Sequence, residues 1–207
     1  SLIYLTIYMN NLPYVSICMP TYNRNNFKGL ILNNLRQLNY PKDKLEFVID
    51  DDGTEKFLKN KEEEDILKKL IHPIKLNYYY RPFKRSIGVK RNNLTKIASY
   101  KIIACMDSDD IYMPEWLMYG ITEMKNNNYT CVGSNQMLFL YPYLDWKMTG
   151  IDCDVKRMIH EATMVFSKKH WKSMGGFNNK GTGEGCKMID GMLDKKIGKS
   201  EVSECMI

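Results

Sequence analysis

Three histidines and six cysteines in 207 residues are scarce material for a metal centre built on nitrogen or sulfur. Cys18, Cys105, Cys131, Cys153, Cys186 and Cys205 form no C-x-x-C pair, and His72, His160 and His170 share no ligand spacing with them. A zinc site is therefore not expected. Free thiols in a reducing compartment are, with Cys18 and Cys105 acting as small hydrophobes inside apolar runs. Long apolar runs are also missing. The opening "SLIYLTIYM" is far too short to span a bilayer, and it lacks the basic flank and small-residue cleavage site of a signal peptide. A cytoplasmic location is the expectation. There is no internal repeat, low-complexity tract or break in composition, so residues 1–207 are expected to form one domain.

With 44% hydrophobic and 26% charged residues, the composition is that of a globular protein able to bury a core. A net charge of +6 favours an anionic partner. Because Lys and Arg are spread along the chain rather than gathered in one arm, no nucleic acid is expected, and a small phosphate-bearing ligand suits the charge equally well.

Apolar runs and helical periodicities alternate through the first half. "YVSICMP" (14–20) predicts a buried strand ended by proline, and Phe27, Leu30, Ile31, Leu35 and Leu38 recur at helical spacing before Pro41. "LEFVID" (45–50) predicts a second strand, residues 55–70 a charged helix, and "IKLNYYY" (74–80) a third strand. "GVKRNNLTKIASY" (88–100) is helical and "KIIACM" (101–106) is a fourth strand. This alternation at crossover lengths implies an α/β protein with a mainly parallel sheet covered on both faces. Beyond residue 110 the rhythm changes. A helix with Pro114 in its first turn is expected, then strand-like pieces near 130–140 and 161–167, a short helix through Trp171, and loops at Gly175-Gly176 and "GTGEGC".

In open parallel sheets, ligands bind beyond the carboxyl ends of the strands. Here three polar clusters fall there: "PTYNR" after the first strand, "DDDGT" after the second and "DSDD" after the fourth. Asp107 and Asp109 form a D-x-D pair that can bring two carboxylates to one hard divalent cation, Mn²⁺ or Mg²⁺, or else a solvated turn. Asp51 or Asp52 can accept the imide N–H of uracil, or serve an Asp-Gly turn. Tyr22 offers a ring face to a base, and Arg91 a planar fork to a diphosphate.

In this order the segments "VSICMPTYNR", "FVIDDDGTE", "GVKRNN" and "ACMDSDDIYMPEWL" resemble the nucleotide-sugar glycosyltransferases of family 2, inverting enzymes with the GT-A fold, over about residues 14–190. The resemblance implies a GT-A (Rossmann-like), mainly parallel sheet with a short antiparallel part in the C-terminal half. Residues 14–110 would be the nucleotide-binding half and 111–207 the acceptor side. It implies that Pro20 and Tyr22 border the base pocket, Asp52 (with Asp51 beside it) reads uracil, Arg91 approaches the diphosphate, and Asp107 and Ser108 contact the donor. Asp109 would be the direct ligand of Mn²⁺ or Mg²⁺, supported by Asp107, with His160 a candidate third ligand. The family usually carries an acid pair, G-x-E-D, at the start of a late helix. Here Glu184 is present, but Gly185 stands where aspartate is usual. Glu184 is the first candidate base and Asp190 the second.

The expected partners are a nucleotide-sugar donor, a UDP-sugar or dTDP-sugar, and a glycan or glycoprotein acceptor. Peripheral membrane contact and further domains of a longer polypeptide are left open. In such a reaction the metal and Arg91 stabilise the departing diphosphate, while a carboxylate removes the proton of the attacking hydroxyl. Two other readings compete. A sugar-phosphate nucleotidyltransferase usually has a glycine-rich phosphate loop after its first strand, and "PTYNRNN" contains no glycine. A nucleotide-sugar-binding domain without transfer activity is the other, prompted by Gly185.

Overall fold

β1 (Val15–Thr21) and β2 (Leu45–Asp51) are buried at every position, as expected of central strands covered on both faces. Along β1, Ile17 and Met19 enter the core on one face of the sheet and Cys18 the core on the other, the two-residue period of a strand. A charged residue in such a strand needs partners. Glu46 is 1% exposed. Its carboxylate accepts from Ser16 Oγ (2.5 Å), Asn77 Nδ2 (3.0 Å), Ser99 N (2.5 Å) and Ser99 Oγ (2.8 Å), so no lone pair is stranded.

The structure, a computed structural model, describes residues 11–152, 159–190 and 197–200. Cys153 and Cys205 lie outside them; Cys18, Cys105, Cys131 and Cys186 are free thiols. A seven-stranded sheet has the order β3-β2-β1-β4-β8-β5-β9, where β3 is Lys75–Tyr80, β4 Ile102–Cys105, β5 Cys131–Ser134, β8 Val165–Ser167 and β9 Ile197–Ser200. The β3-β2-β1-β4 half is parallel throughout. β8 runs antiparallel between β4 and β5, which brings the carboxyl ends of β4 and β5 to the same edge. A separate antiparallel hairpin, β6 (Gln136–Tyr141) with β7 (Lys147–Asp152), leaves the sheet after β5. Helices α1 (Lys28–Gln37), α2 (Lys61–Ile71) and α4 (Trp116–Asn126) cover one face, and α3 (Ile87–Ile97) and α5 (Lys168–Met174) the other. No helix among the described residues is long and apolar enough to cross a membrane.

Three local expectations are corrected. The helix expected over 55–70 begins only at Lys61. Asn60 caps it by accepting Glu63 N–H (2.9 Å), while Glu63 reaches back to Lys59 N–H (3.1 Å). Upstream, Phe57 N–H is taken by Asp51 (2.7 Å), which holds Phe57 and Leu58 in the core outside any helix. Pro114 lies before the cap of α4 rather than in its first turn, and its carbonyl accepts Asn39 N–H (2.7 Å). Of the strand-like piece at 161–167, only Val165–Ser167 joins the sheet; Glu161–Thr163 is a 3-10 turn.

Candidate active site

The loops after β1 and β2 are tied to each other at the carboxyl edge of the sheet. Asn23 sits in the left-handed region (φ 54°), which Asn tolerates better than most residues. From there its side-chain oxygen accepts both Thr54 N–H (2.8 Å) and Thr54 Oγ–H (3.1 Å). The three consecutive aspartates at the end of β2 then part company. Asp50 pairs with Arg85 (2.6 Å) and Arg81 (3.4 Å). Asp51 accepts from Gly53 N–H (2.9 Å), Phe57 N–H (2.7 Å) and the Tyr78 hydroxyl (2.7 Å), a set of bonds that builds the loop. Asp52 accepts from Lys90 Nζ (2.6 Å) and Arg85 N–H (2.6 Å). All three carboxylates are buried and satisfied, which removes the apparent conflict of adjacent like charges.

Beside them opens a cleft of about 380 Å³. Its walls include Pro20, Tyr22, Lys84, Lys90, Asp107 and Asp109, with Arg24 and Ser108 at the same place. The structure thus gathers Pro20 at the end of β1, Tyr22 just past it, and Asp107, Ser108 and Asp109 after β4 around one cleft. Asp109 faces Arg24 (3.1 Å) and is partly exposed. Asp110 has its carboxyl pushed up to about 7 by burial and by the charges of Asp107 and Asp109. Its carbonyl accepts from Asn34 Nδ2 (2.8 Å), so it serves the turn rather than the cleft wall.

Arg91 lies behind this wall. It is 3% exposed and donates to both oxygens of Asp107 (3.0 and 3.1 Å) and to Glu184 (3.0 Å), joining residues 93 positions apart. Among the described residues its Nη1 has no hydrogen-bond partner. Burial pushes the Glu184 carboxyl up, Arg91 opposes that shift and nearby Glu161 adds to it. Tyr112 fastens the acidic loop to the next element: its hydroxyl accepts Asp107 N–H (2.7 Å) and donates to the Ala162 carbonyl (3.0 Å).

Glu161 explains the glycine at 185. Its carboxylate accepts Gly185 N–H (2.9 Å), and a Cβ at 185 would lie 2.3 Å from Glu161 Cγ. The space a side chain at 185 would need is already filled by an acid from another element. Gly88 is forced in the same way: a Cβ there would lie 1.7 Å from the Asn178 carbonyl oxygen, because the start of α3 packs directly on the loop that carries Glu184.

Other candidates fall elsewhere. Glu184 sits in a turn leading into a 3-10 segment (Cys186–Ile189), not at the start of an α-helix, and it does not line the cleft itself. Asp190 is exposed at the end of that segment and lines no part of the cleft. His160 is not gathered with Asp107 and Asp109. Among the described residues no three His, Cys, Asp or Glu side chains are placed to hold a metal ion. The His160 backbone is fixed by Ser134 and Thr163, its ring is half-buried, and burial lowers its pKa. Lys90 and Glu161 escaped the sequence reading. Only Lys90 had a signal, standing next to Arg91 in "GVKRNN".

Comparison with known proteins decides the family. The description "Glycosyl transferase family 2" matches residues 16–185. The chain belongs to glycosyl transferase family 2. No curated protein sequence gives a match. Among solved structures, this family 2 chain is similar to the mannosyltransferase PcManGT from Pyrobaculum calidifontis in complex with GDP-Man and Mn²⁺ (TM-score 0.66, 18% identity, covering 93% of this chain and 56% of that one). It is also similar to S. aureus TarS 1–349 in complex with UDP (TM-score 0.68, 16% identity, 93% and 59%) and with UDP-GlcNAc (TM-score 0.68, 16%, 93% and 57%). At these identities the likeness establishes a shared GT-A fold. The chain spans between 56% and 59% of the length of these proteins.

Proposed function

We propose that this domain transfers a sugar from a nucleotide-sugar donor, a UDP-sugar foremost, to a hydroxyl of a glycan acceptor, with inversion at the anomeric carbon. The observation that carries this reading is the cleft at the carboxyl edge of the sheet, where Tyr22, Lys90, Asp107 and Asp109 face one space. Family membership supports it, as do the similar proteins solved in complex with UDP, UDP-GlcNAc and GDP-Man.

Tyr22 offers its ring to the base. Asp52, held in place by Lys90 and Arg85, reads the imide edge, and Asp51 keeps that loop in shape. Arg91, buried between Asp107 and Glu184, positions the two acids relative to each other. Asp107 and Asp109 are hard oxygen donors on one wall, a set that fits Mn²⁺ or Mg²⁺ with the remaining positions left to water and donor phosphates. When bound, such an ion supplies Lewis-acid stabilisation of the departing diphosphate.

During transfer the bond from the anomeric carbon to the acceptor oxygen forms as the bond to the diphosphate breaks. Glu184, whose raised proton affinity suits a general base, takes the hydroxyl proton. Release of UDP from UDP-sugars in the presence of Mn²⁺, with and without candidate acceptors, tests the reading. Wild-type protein should turn over at least one donor, and Glu184→Gln should lower the rate at least a hundredfold without loss of donor binding. Equal turnover by the variant would remove Glu184 from the mechanism. No turnover of any donor would favour a binding domain instead.

A further inference from the structure

Among the described residues four cations line the cleft, and three of them already face carboxylates. Arg24 pairs with Asp109 (3.1 Å), Arg85 with Asp50 (2.6 Å) and Lys90 with Asp52 (2.6 Å). Arg91, on which a diphosphate contact was expected, is buried behind the wall and occupied by Asp107 and Glu184. Lys84 differs from all of these. It is exposed, it lines the cleft, and among the described residues it forms no ion pair; its Nζ lies 4.3 Å from the centre of the Tyr22 ring.

That position matters because Tyr22 is the aromatic surface available to a base. The Tyr22 ring is half-buried, and a flat base stacking on the face that Lys84 covers must displace the ammonium group. The displaced ammonium stays tethered in a cleft whose other cations are neutralised, beside whatever anion the base carries. A diphosphate would give it the charge-assisted partner it otherwise lacks. The long, flexible side chain allows both positions without backbone movement.

Building on the donor-site reading above, we propose that Lys84 is the residue that recognises the diphosphate of the donor, released from Tyr22 by the base. The base and the phosphates are then read together. A nucleoside displaces Lys84 without supplying it a partner, whereas a nucleoside diphosphate does both.

The test is an NMR titration of wild type, Lys84→Ala and Lys84→Arg with UDP and uridine, and with GDP and guanosine in parallel, at fixed Mn²⁺. In wild type the diphosphate should bind more tightly than its own nucleoside. Lys84→Ala should reduce that ratio roughly tenfold. It should leave the nucleoside unaffected or about two- to fivefold tighter, because the ring no longer has to shed an ammonium group. Lys84→Arg should keep most of the ratio. A ratio unchanged in Lys84→Ala, or an equal weakening of nucleoside and diphosphate, would overturn the assignment while leaving the donor site standing. Wild-type protein that binds neither pair would overturn the donor site, and the Lys84 assignment with it.

Discussion

Replacing Arg91 with methionine is the sharpest perturbation of the inner site. The side chain is 3% exposed, and methionine keeps much of its length while removing three hydrogen bonds and the charge between two carboxylates. Asp107 retains some solvent, with 22% of its side chain exposed, but Glu184 has only 7%. Most of the cost therefore falls on Glu184. Removing one partner of a buried pair costs about 3–5 kcal/mol. For a chain of this size that lowers Tm by roughly 10 °C.

The pH dependence gives the loss a signature. Burial already raises the Glu184 carboxyl, Glu161 adds to that, and removing Arg91 takes away the main opposing charge. A carboxyl whose folded pKa is raised contributes stability that is full below its unfolded value, about 4.3, and lost as pH rises through the folded value. The deficit of Arg91→Met should therefore be larger at pH 8 than at pH 5. Adding Glu184→Gln should recover part of it at pH 8. Urea denaturation of wild type, the single variants and the double variant measures all three quantities. A deficit below about 1 kcal/mol, or a double variant less stable than Arg91→Met, would refute the claim that Arg91 holds these acids together.

Two further stability measurements test neighbouring contacts. Gly185→Ala should cost about 1–3 kcal/mol, because its Cβ would meet Glu161 at 2.3 Å, and Glu161→Ala in the same chain should restore most of the loss. Tyr78→Phe removes the hydroxyl that holds Asp51 (2.7 Å) and should lower stability by about 1 kcal/mol without abolishing the fold, as read by thermal denaturation.

The parallel half of the fold was legible because its signals are local. β1, β2 and β4 are apolar runs that stop at polar clusters, and the residues expected around the cleft stand within a few positions of those stops. Pro20, Tyr22, Asp107, Ser108 and Asp109 need only the sheet order to meet. What local pattern did not show was competition between partners. The periodicity of 55–70 extends through Phe57 and Leu58, yet Asp51 captures the Phe57 amide and Asn60 starts the helix later.

Arg91 reads as a cation near a diphosphate until the fold brings Glu184, 93 residues away, to its other side. Gly185 reads as a missing acid until Glu161 is found in the space it leaves. His160 precedes the strand-like "ATMVFS", yet among the described residues it is not grouped with the aspartates as a metal ligand. For Arg91 and Gly185 the deciding contact links segments far apart in the chain, where periodicity and motif spacing carry no information.

The central claim is that the cleft holds a nucleotide sugar together with a divalent cation on Asp107 and Asp109. Thermal denaturation of wild type and Asp109→Ala with UDP-, GDP- and dTDP-sugars, each with and without Mn²⁺, tests it most directly, since a ligand that binds only the folded state raises Tm. One donor should stabilise the wild-type protein, more strongly with Mn²⁺ than without, and the Mn²⁺-dependent part should vanish in Asp109→Ala. Stabilisation by none of the donors, or an Mn²⁺-dependent shift that survives in Asp109→Ala, would contradict it.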